Sequence, residues 1–306
     1  MQLIQETVSM HSVVDNILRK YVLSNKKFTQ KTSDKIITIA NAVFSKKNHL
    51  TCEQISGRYD TLKSYILRLE ELKALPVIVQ RSDEWFAARN TMISASDVAQ
   101  AIGKGKFGTV NDFYKKKCAY EDTPFDAACP PLKHGCMYES VCCSIYEKRN
   151  STKVFDFGVL RHPIIPHIGA SPDGITSEGI LLEIKAPYRR KITGEVPEQY
   201  AYQVQFQLAV CDLQECDFAE FEMSEFNSME HFLEERRSFG RNETGIIGEI
   251  RVRDEFKYFY GEVDGSDDYY REWMQQMRAN NVTLFHFWHL EKYNVVRIFR
   301  NDYLIK

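Results

Sequence analysis

The chain has 306 residues, 43% of them hydrophobic, with 42 acidic side chains against 40 basic ones and a net charge of −2. That apolar content can fill one large core, or one core plus a smaller helical appendage. The near balance of charge excludes the broad positive field of many DNA-binding domains, although local basic clusters at Lys104/Lys106, Lys115 to Lys117, Arg189 to Lys191 and Arg236/Arg237 could line a groove.

No apolar run approaches the roughly 20 residues of a membrane span, and Met1 to Asp15 has neither the basic start nor the apolar stretch of a signal peptide. An intracellular protein that is neither membrane-bound nor secreted is expected. The eight cysteines, at positions 52, 118, 129, 136, 142, 143, 211 and 216, show no C-x-x-C spacing and read as reduced thiols.

From about Val8 to Leu75 apolar residues recur at helical spacing, in Val13, Ile17, Leu18 and Tyr21 and again in Leu62, Ile66, Leu69 and Leu72. Thr51 followed by Gln54 has the form of a capping box, and Pro76 closes the stretch. Residues 1–78 are therefore expected to be a helical domain without visible chemistry. Residues 79–306 are expected to be an α/β body, because helical stretches there alternate with β-branched and aromatic runs such as KVFDFGVL and GILLEIKAP. The segment VPEQYAYQVQFQLAVCDL predicts a helix and DFAEFEMSEF a strand. GIIGEIRVRD and EFKYFYGEV predict a strand pair, and a helix is expected from Asp267. The aromatic tail from Phe285 to Tyr303 is expected to pack on the body, or to stack on displaced bases.

The run HIGASPDGITSEGILLEIKAPYRR carries the chemistry. Pro172-Asp173-Gly174 is a turn that can place Asp173 at the end of a strand. After nine intervening residues, Glu183 and Lys185 share one face of a second strand, with Leu182 and Ile184 on the other. Two carboxylates and an amine can then converge. Carboxylate oxygens suit Mg²⁺, which prefers octahedral oxygen coordination and keeps water ligands. A bound cation polarises a phosphodiester, and a lysine can orient the attacking water or help deprotonate it. Taken alone, the same residues also fit a surface ion pair on an edge strand. His134, His162 and His167 match no common zinc spacing.

Four ordered blocks, EWFAARNTMISASDVAQAIG, KHGCMYESVCCSIYEKR, GASPDGITSEGILLEIKAP and QYAYQVQFQLAV, resemble the YqaJ-type viral recombinase family, the lambda-exonuclease-like branch of the PD-(D/E)XK nucleases, over about residues 81 to 225. The resemblance implies a restriction-endonuclease-like core, a central mixed sheet flanked by helices, here with an N-terminal helical extension. It makes Glu139 a metal ligand beside Asp173, Glu183 and the backbone carbonyl of Ile184. Arg89, Ser96 and Ser171 become a pocket for a terminal phosphate. Gln203, and less directly Tyr200, would contact the reacting phosphate or its water, with Gln207 on the same helical face as Gln203. Trp85 and the cysteines of the second block read as packing residues.

The function implied is a Mg²⁺-dependent (or Mn²⁺-supported) 5′-to-3′ exodeoxyribonuclease. It would act on double-stranded DNA ends carrying a 5′ phosphate, in recombination, replication or repair of a large DNA virus, within the cytoplasm or nucleus of the infected cell. A single-strand annealing protein is the implied partner, and the oligomeric state is open. Two alternatives remain: an alkaline-nuclease-like endonuclease on DNA or RNA, and a non-catalytic DNA-binding recombination subunit.

Overall fold

A computed structural model describes residues 10–24, 27–43, 51–106, 108–118, 128–240, 242–253 and 255–303. The expected helix start at Val8 lies outside the described residues. Three helices lead the chain: α1 (Met10–Leu23), α2 (Gln30–Val43) and α3 (Cys52–Lys73). The Thr51 side chain accepts from the Gln54 amide and the Gln54 side chain returns the bond to Thr51, so α3 opens with the expected capping box. The body then runs α4 (Asp83–Asn90), β1 (Ile93–Ser94), α5 (Val98–Ala101), α6 (Val110–Lys117), α7 (Pro130–Asn150), β2 (Val154–Phe155), β3 (Leu160–Arg161), β4 (Ile168–Ala170), β5 (Gly174–Thr176) and β6 (Leu181–Lys185). It continues with α8 (Glu198–Cys211), β7 (Glu215–Phe226), α9 (Met229–Phe239), β8 (Thr244–Val252), β9 (Glu255–Tyr260), α10 (Asp267–Ala279) and β10 (Leu284–Phe299).

Seven strands form one mixed sheet in the order β2-β5-β6-β7-β10-β8-β9, and β1, β4 and β3 form a small second sheet. Only β6 and β7 run parallel in the large sheet, as the intervening α8 crossover allows. Alternation along β6 sorts its side chains. Leu182 and Ile184 join a core with Met137, Val141 and Ile145 of α7, whereas Leu181 joins Val204 and Leu208 of α8 on the opposite face. Each face is thus covered by one long helix, which is the helix-flanked α/β body expected. At Gly174 a Cβ would lie 2.1 Å from the Val154 side chain, so the turn after Asp173 needs glycine for β2 to close on β5.

The C-terminal aromatic stretch differs from expectation. It is not a tail packed on the body but the 16-residue strand β10, inserted between β7 and β8, with Trp288 fully buried. A bulge between Leu290 and Lys292 shifts its register, so a single period-two pattern does not run through it.

Helices α1 to α3 share a small core of Leu18, Ile36, Ile55 and Leu62 that takes in Ile180 from the β5–β6 turn. Leu69 and Leu72 of α3 belong instead to the main core with Leu181 and Phe218, so packing is continuous across the boundary expected at residue 78. Arg58 of α3 bridges Asp15 at 2.7 Å and Glu215 at 3.0 Å, and Arg297 binds Glu215 and Asp217 at 2.5 Å. These helices dock where β6 and β7 begin. The carboxylates described next lie where β6 ends.

Candidate metal and phosphate site

Glu183 is the best-held side chain of the site. It is 1% exposed beneath α8. The Gln203 amide donates to its Oε1 at 2.6 Å and the Gln207 amide to its Oε2 at 2.7 Å, while the Lys185 ammonium also binds Oε1. The helical spacing of Gln203 and Gln207 aims both amides at one carboxylate. In this arrangement Gln203 orients Glu183. Gln207, noted in the sequence only as a face-mate of Gln203, holds the second oxygen and is fully buried. The Lys185 ammonium lies 4.9 Å from the centre of the Tyr200 ring, which also faces Arg190 at 5.8 Å.

Asp173 stands on the turn between β4 and β5, and its Oδ2 accepts the Ile184 amide at 2.6 Å. Glu139 comes from α7, and its Oε2 accepts from Arg81 at 3.0 Å. Two clefts of about 700 and 740 Å³ both reach Glu139, Asp173 and Ile184. One is flanked by Lys106, Arg189, Arg190 and Tyr200, the other by Arg81, Asp156, Tyr258 and Tyr260. Glu139 and Asp173, 34 positions apart in the sequence, therefore meet at the junction of two grooves.

The charges are coupled. Burial, and then repulsion from Glu183, push the Asp173 carboxyl well above its ordinary range. Burial also raises Glu139, against the opposing pull of Arg81. For Lys185, burial alone would lower the ammonium, but Glu183 and Asp173 outweigh it and hold it above its usual value. Lys185 is thus a firm cation here. Of the two roles expected for it, orienting the attacking water suits a held ammonium better than deprotonating it.

Among the described residues no three His, Cys, Asp or Glu side chains stand together as a finished metal cage. Each acid points an oxygen at a protein donor. The donor set nonetheless suits a hard divalent cation in kind: Glu139 and Asp173 line the cleft junction with Ile184, and the buried Glu183 lies near enough for its charge to add to the burial that raises both carboxyls. Glu139, Asp173, Glu183 and the Ile184 carbonyl are the groups that would hold it.

Beside this cluster the expected phosphate residues are brought together. The Arg89 guanidinium donates to Ser96 Oγ at 2.8 Å and lies 4.4 Å from the Trp85 ring, and the Trp85 indole N–H donates to Ser171 Oγ at 3.0 Å. Trp85 therefore does more than pack, because it supports the guanidinium and fixes Ser171, two residues before Asp173. Ser96 is placed by Ser94, whose hydroxyl donates to Asp97 Oδ2 at 2.6 Å. Lys117 pairs with Asp97 at 2.8 Å and also donates to the carbonyls of Arg89 and Met92. Burial would raise Asp97, but Lys117 and Ser94 bring it down to about 2.

Among the described residues the histidines noted in the sequence form no metal-holding group. His162 accepts the Ile164 and Ile165 amides in a tight loop, and His134 packs against Tyr138 and Tyr188. Burial pushes the thiol of Cys142 well above its ordinary value and that of Cys143 up to about 12, which suits packing rather than reactivity. Sequence reasoning missed Arg81, Asp156 and Asp97, and noted Lys117 only as part of a basic cluster. Only the Ser94–Asp97 capping pattern offered a local signal.

Residues 84–214 match the YqaJ-like viral recombinase domain. An uncharacterized protein of Acanthamoeba polyphaga mimivirus is 32% identical over 186 residues, covering 55% of this chain and 34% of that protein. A protein of African swine fever virus (isolate Tick/South Africa/Pretoriuskop Pr4/1996) is 28% identical over 163 residues, covering 43% of this chain and 46% of its own. The chain thus spans less than half the length of these relatives. The crystal structure of the exonuclease LHK-Exo of Laribacter hongkongensis in complex with dAMP overlaps 73% of this chain and 85% of its own at 23% identity, with a TM-score of 0.45. The matched segment contains Arg89, Ser96, Glu139, Ser171, Asp173, Glu183, Lys185 and Gln203. Over residues 84–214, then, the chain is similar to the YqaJ-like viral recombinase domain.

Proposed function

We propose that the chain is a Mg²⁺-dependent PD-(D/E)XK exodeoxyribonuclease that degrades double-stranded DNA from 5′-phosphorylated ends, in the 5′-to-3′ direction, in viral DNA recombination, replication or repair. The observation that carries the reading is that Glu139 and Asp173 both line the junction of two clefts, with Lys185 lining one of them and bound to the buried Glu183, while Trp85 links Ser171 to the Arg89–Ser96 pair. When bound, a divalent cation supplies Lewis-acid polarisation of the scissile phosphate and a water of lowered pKa.

The chain's own residues supply the rest. Gln203 and Gln207 keep Glu183 in place, so its oxygens are preorganised. Lys185, held as an ammonium, stabilises negative charge on the phosphate or orients the water by donating to it. Arg89 offers two parallel donors to a terminal phosphate and Ser96 and Ser171 a hydroxyl each, which would fix where the end stops and hence which bond is cut. The viral relatives and the recombinase domain support a role on viral DNA, and a single-strand annealing protein is the partner such a role calls for.

The test uses purified chain, Mg²⁺ and linear duplexes labelled at one end or the other, beside a covalently closed circle. Loss of label from the 5′ end with an intact circle is expected. Cutting of the circle would instead establish an endonuclease. An inactive chain that binds duplex would leave a DNA-binding subunit, and undiminished cleavage by Lys185→Ala would remove the chemistry assigned to the site.

A further inference from the structure

Arg81 lies outside the matched recombinase segment, yet it is the basic residue that touches Glu139. The contact is a single hydrogen bond of 3.0 Å from one guanidinium nitrogen, between side chains that are 46% and 32% exposed. Such a contact is easily broken. The backbone at Arg81 is, by contrast, unusual: φ is +66°, a left-handed conformation that side-chain-bearing residues rarely adopt. Conformations of this kind persist where the surroundings impose them. Here Ser82, the next residue, caps α4 by accepting the Trp85 amide, so the segment that presents Arg81 is tied to the helix carrying Trp85 and Arg89.

We propose that Arg81 is an exchangeable counter-ion of the carboxylate cluster: it holds Glu139 until a divalent cation claims that carboxylate, then passes to a phosphate of the bound DNA strand. The inference rests on the metal-site reading above. A guanidinium and a doubly charged ion that share one carboxylate repel each other. One exposed hydrogen bond is too weak to keep the guanidinium in place against that repulsion. The displaced side chain still lines the cleft, where a phosphate presents the planar pair of acceptors its donors match. Metal and DNA would thereby favour each other: the metal frees the cation that the phosphate needs, and the phosphate takes away the metal's competitor.

The test measures binding rather than turnover, using the full chain, Arg81→Gly and Arg81→Lys. Glycine accepts a positive φ without strain, so Arg81→Gly removes the guanidinium and leaves the backbone at ease; thermal melting checks that it folds. Titration calorimetry with Mg²⁺ alone should show Arg81→Gly binding the ion about three- to fivefold more tightly than the parent. Anisotropy of a labelled 5′-phosphorylated duplex in Ca²⁺ should show the same variant binding DNA about tenfold more weakly, with Arg81→Lys between the two. Equal or weaker Mg²⁺ binding by Arg81→Gly would overturn the exchange and make Arg81 a fixed support of Glu139. Unchanged DNA binding would overturn the transfer to phosphate. If the parent binds no Mg²⁺, or Glu139→Gln binds it as well as the parent does, the metal-site reading itself falls and the inference with it.

Discussion

Glu183 receives donors from Lys185, Gln203 and Gln207, so both of its oxygens are committed before any ligand arrives. Replacing Gln207 by Leu would leave Oε2 of a buried carboxylate with one donor fewer. A loss of about 1–3 kcal/mol in stability is expected, with about a tenfold loss in Mg²⁺ affinity; melting and calorimetry check the two, and unchanged affinity would deny Gln207 its orienting role. Asp173 gives a pH prediction. Its folded carboxyl is raised by burial and then by Glu183, so the metal-free fold favours its neutral form. The associated stability is complete below the ordinary carboxylate range and is lost as pH rises through the raised folded value. Asp173→Asn should therefore stabilise the metal-free protein at pH 8, by at least about 1 kcal/mol. The Mg²⁺-induced rise in Tm should grow from pH 6 to pH 8 in the parent, because binding requires ionised carboxylates, and should vanish in the variant. A variant that melts earlier than the parent at pH 8 would contradict the charge reading. Asp173, Glu183 and Lys185 were legible in the sequence because a turn and a strand of period two fix their relation within 13 positions. Arg81 and Asp97 were not, since what identifies them is a partner from a distant element or from a helix cap.

At the scale of elements, α3 shows how the N-terminal helices bear on the site without entering it. Arg58 neutralises Asp15 and Glu215, whose side chains are each 4% exposed, and Gly179 at the β5–β6 turn sits so close to the Tyr65 carbonyl that a Cβ would fall 2.6 Å from it. The helices thereby fix the start of the strand whose other end carries Glu183 and Lys185. Arg58→Ala would leave two buried carboxylates sharing Arg297, with the Tyr65 hydroxyl on Glu215, and a loss of about 3 kcal/mol is expected. The activity of the fraction that remains folded should be unchanged, because Arg58 is remote from the clefts; denaturant melts and titrated active-site concentration separate the two effects. Elements with strong local signals, such as the capped α3, the α8 helix and the β8–β9 hairpin, could be read from the sequence. The strand β10 could not. Its place in the sheet is set by pairing with β7 across more than 60 positions of chain, and its bulge breaks the alternation that would have marked it.

For the whole molecule, the net charge of −2 and a nucleic-acid substrate are reconciled by where the cations lie. Lys106, Arg189 and Arg190 flank the cleft that leads to Lys185, while the carboxylates cluster at its inner end. Arg190 is anchored by Glu220, a fully buried carboxylate 2.5 Å away, so its charge is held over the groove rather than spread through solvent. These three cations should contribute roughly three released counterions, and so about −3 to the slope of log affinity against log salt, beside the contributions of the cations assigned to phosphates above. Arg189→Ala should reduce that slope by about one, and weaken binding to the same degree on any sequence, because phosphates rather than bases are contacted. Anisotropy titrations of a labelled duplex in Ca²⁺ between 50 and 200 mM KCl measure both quantities. A slope unaffected by Arg189→Ala would mean that DNA does not enter by this cleft. The second cleft, with Arg81, Tyr258 and Tyr260, would then be the remaining approach to the same carboxylates.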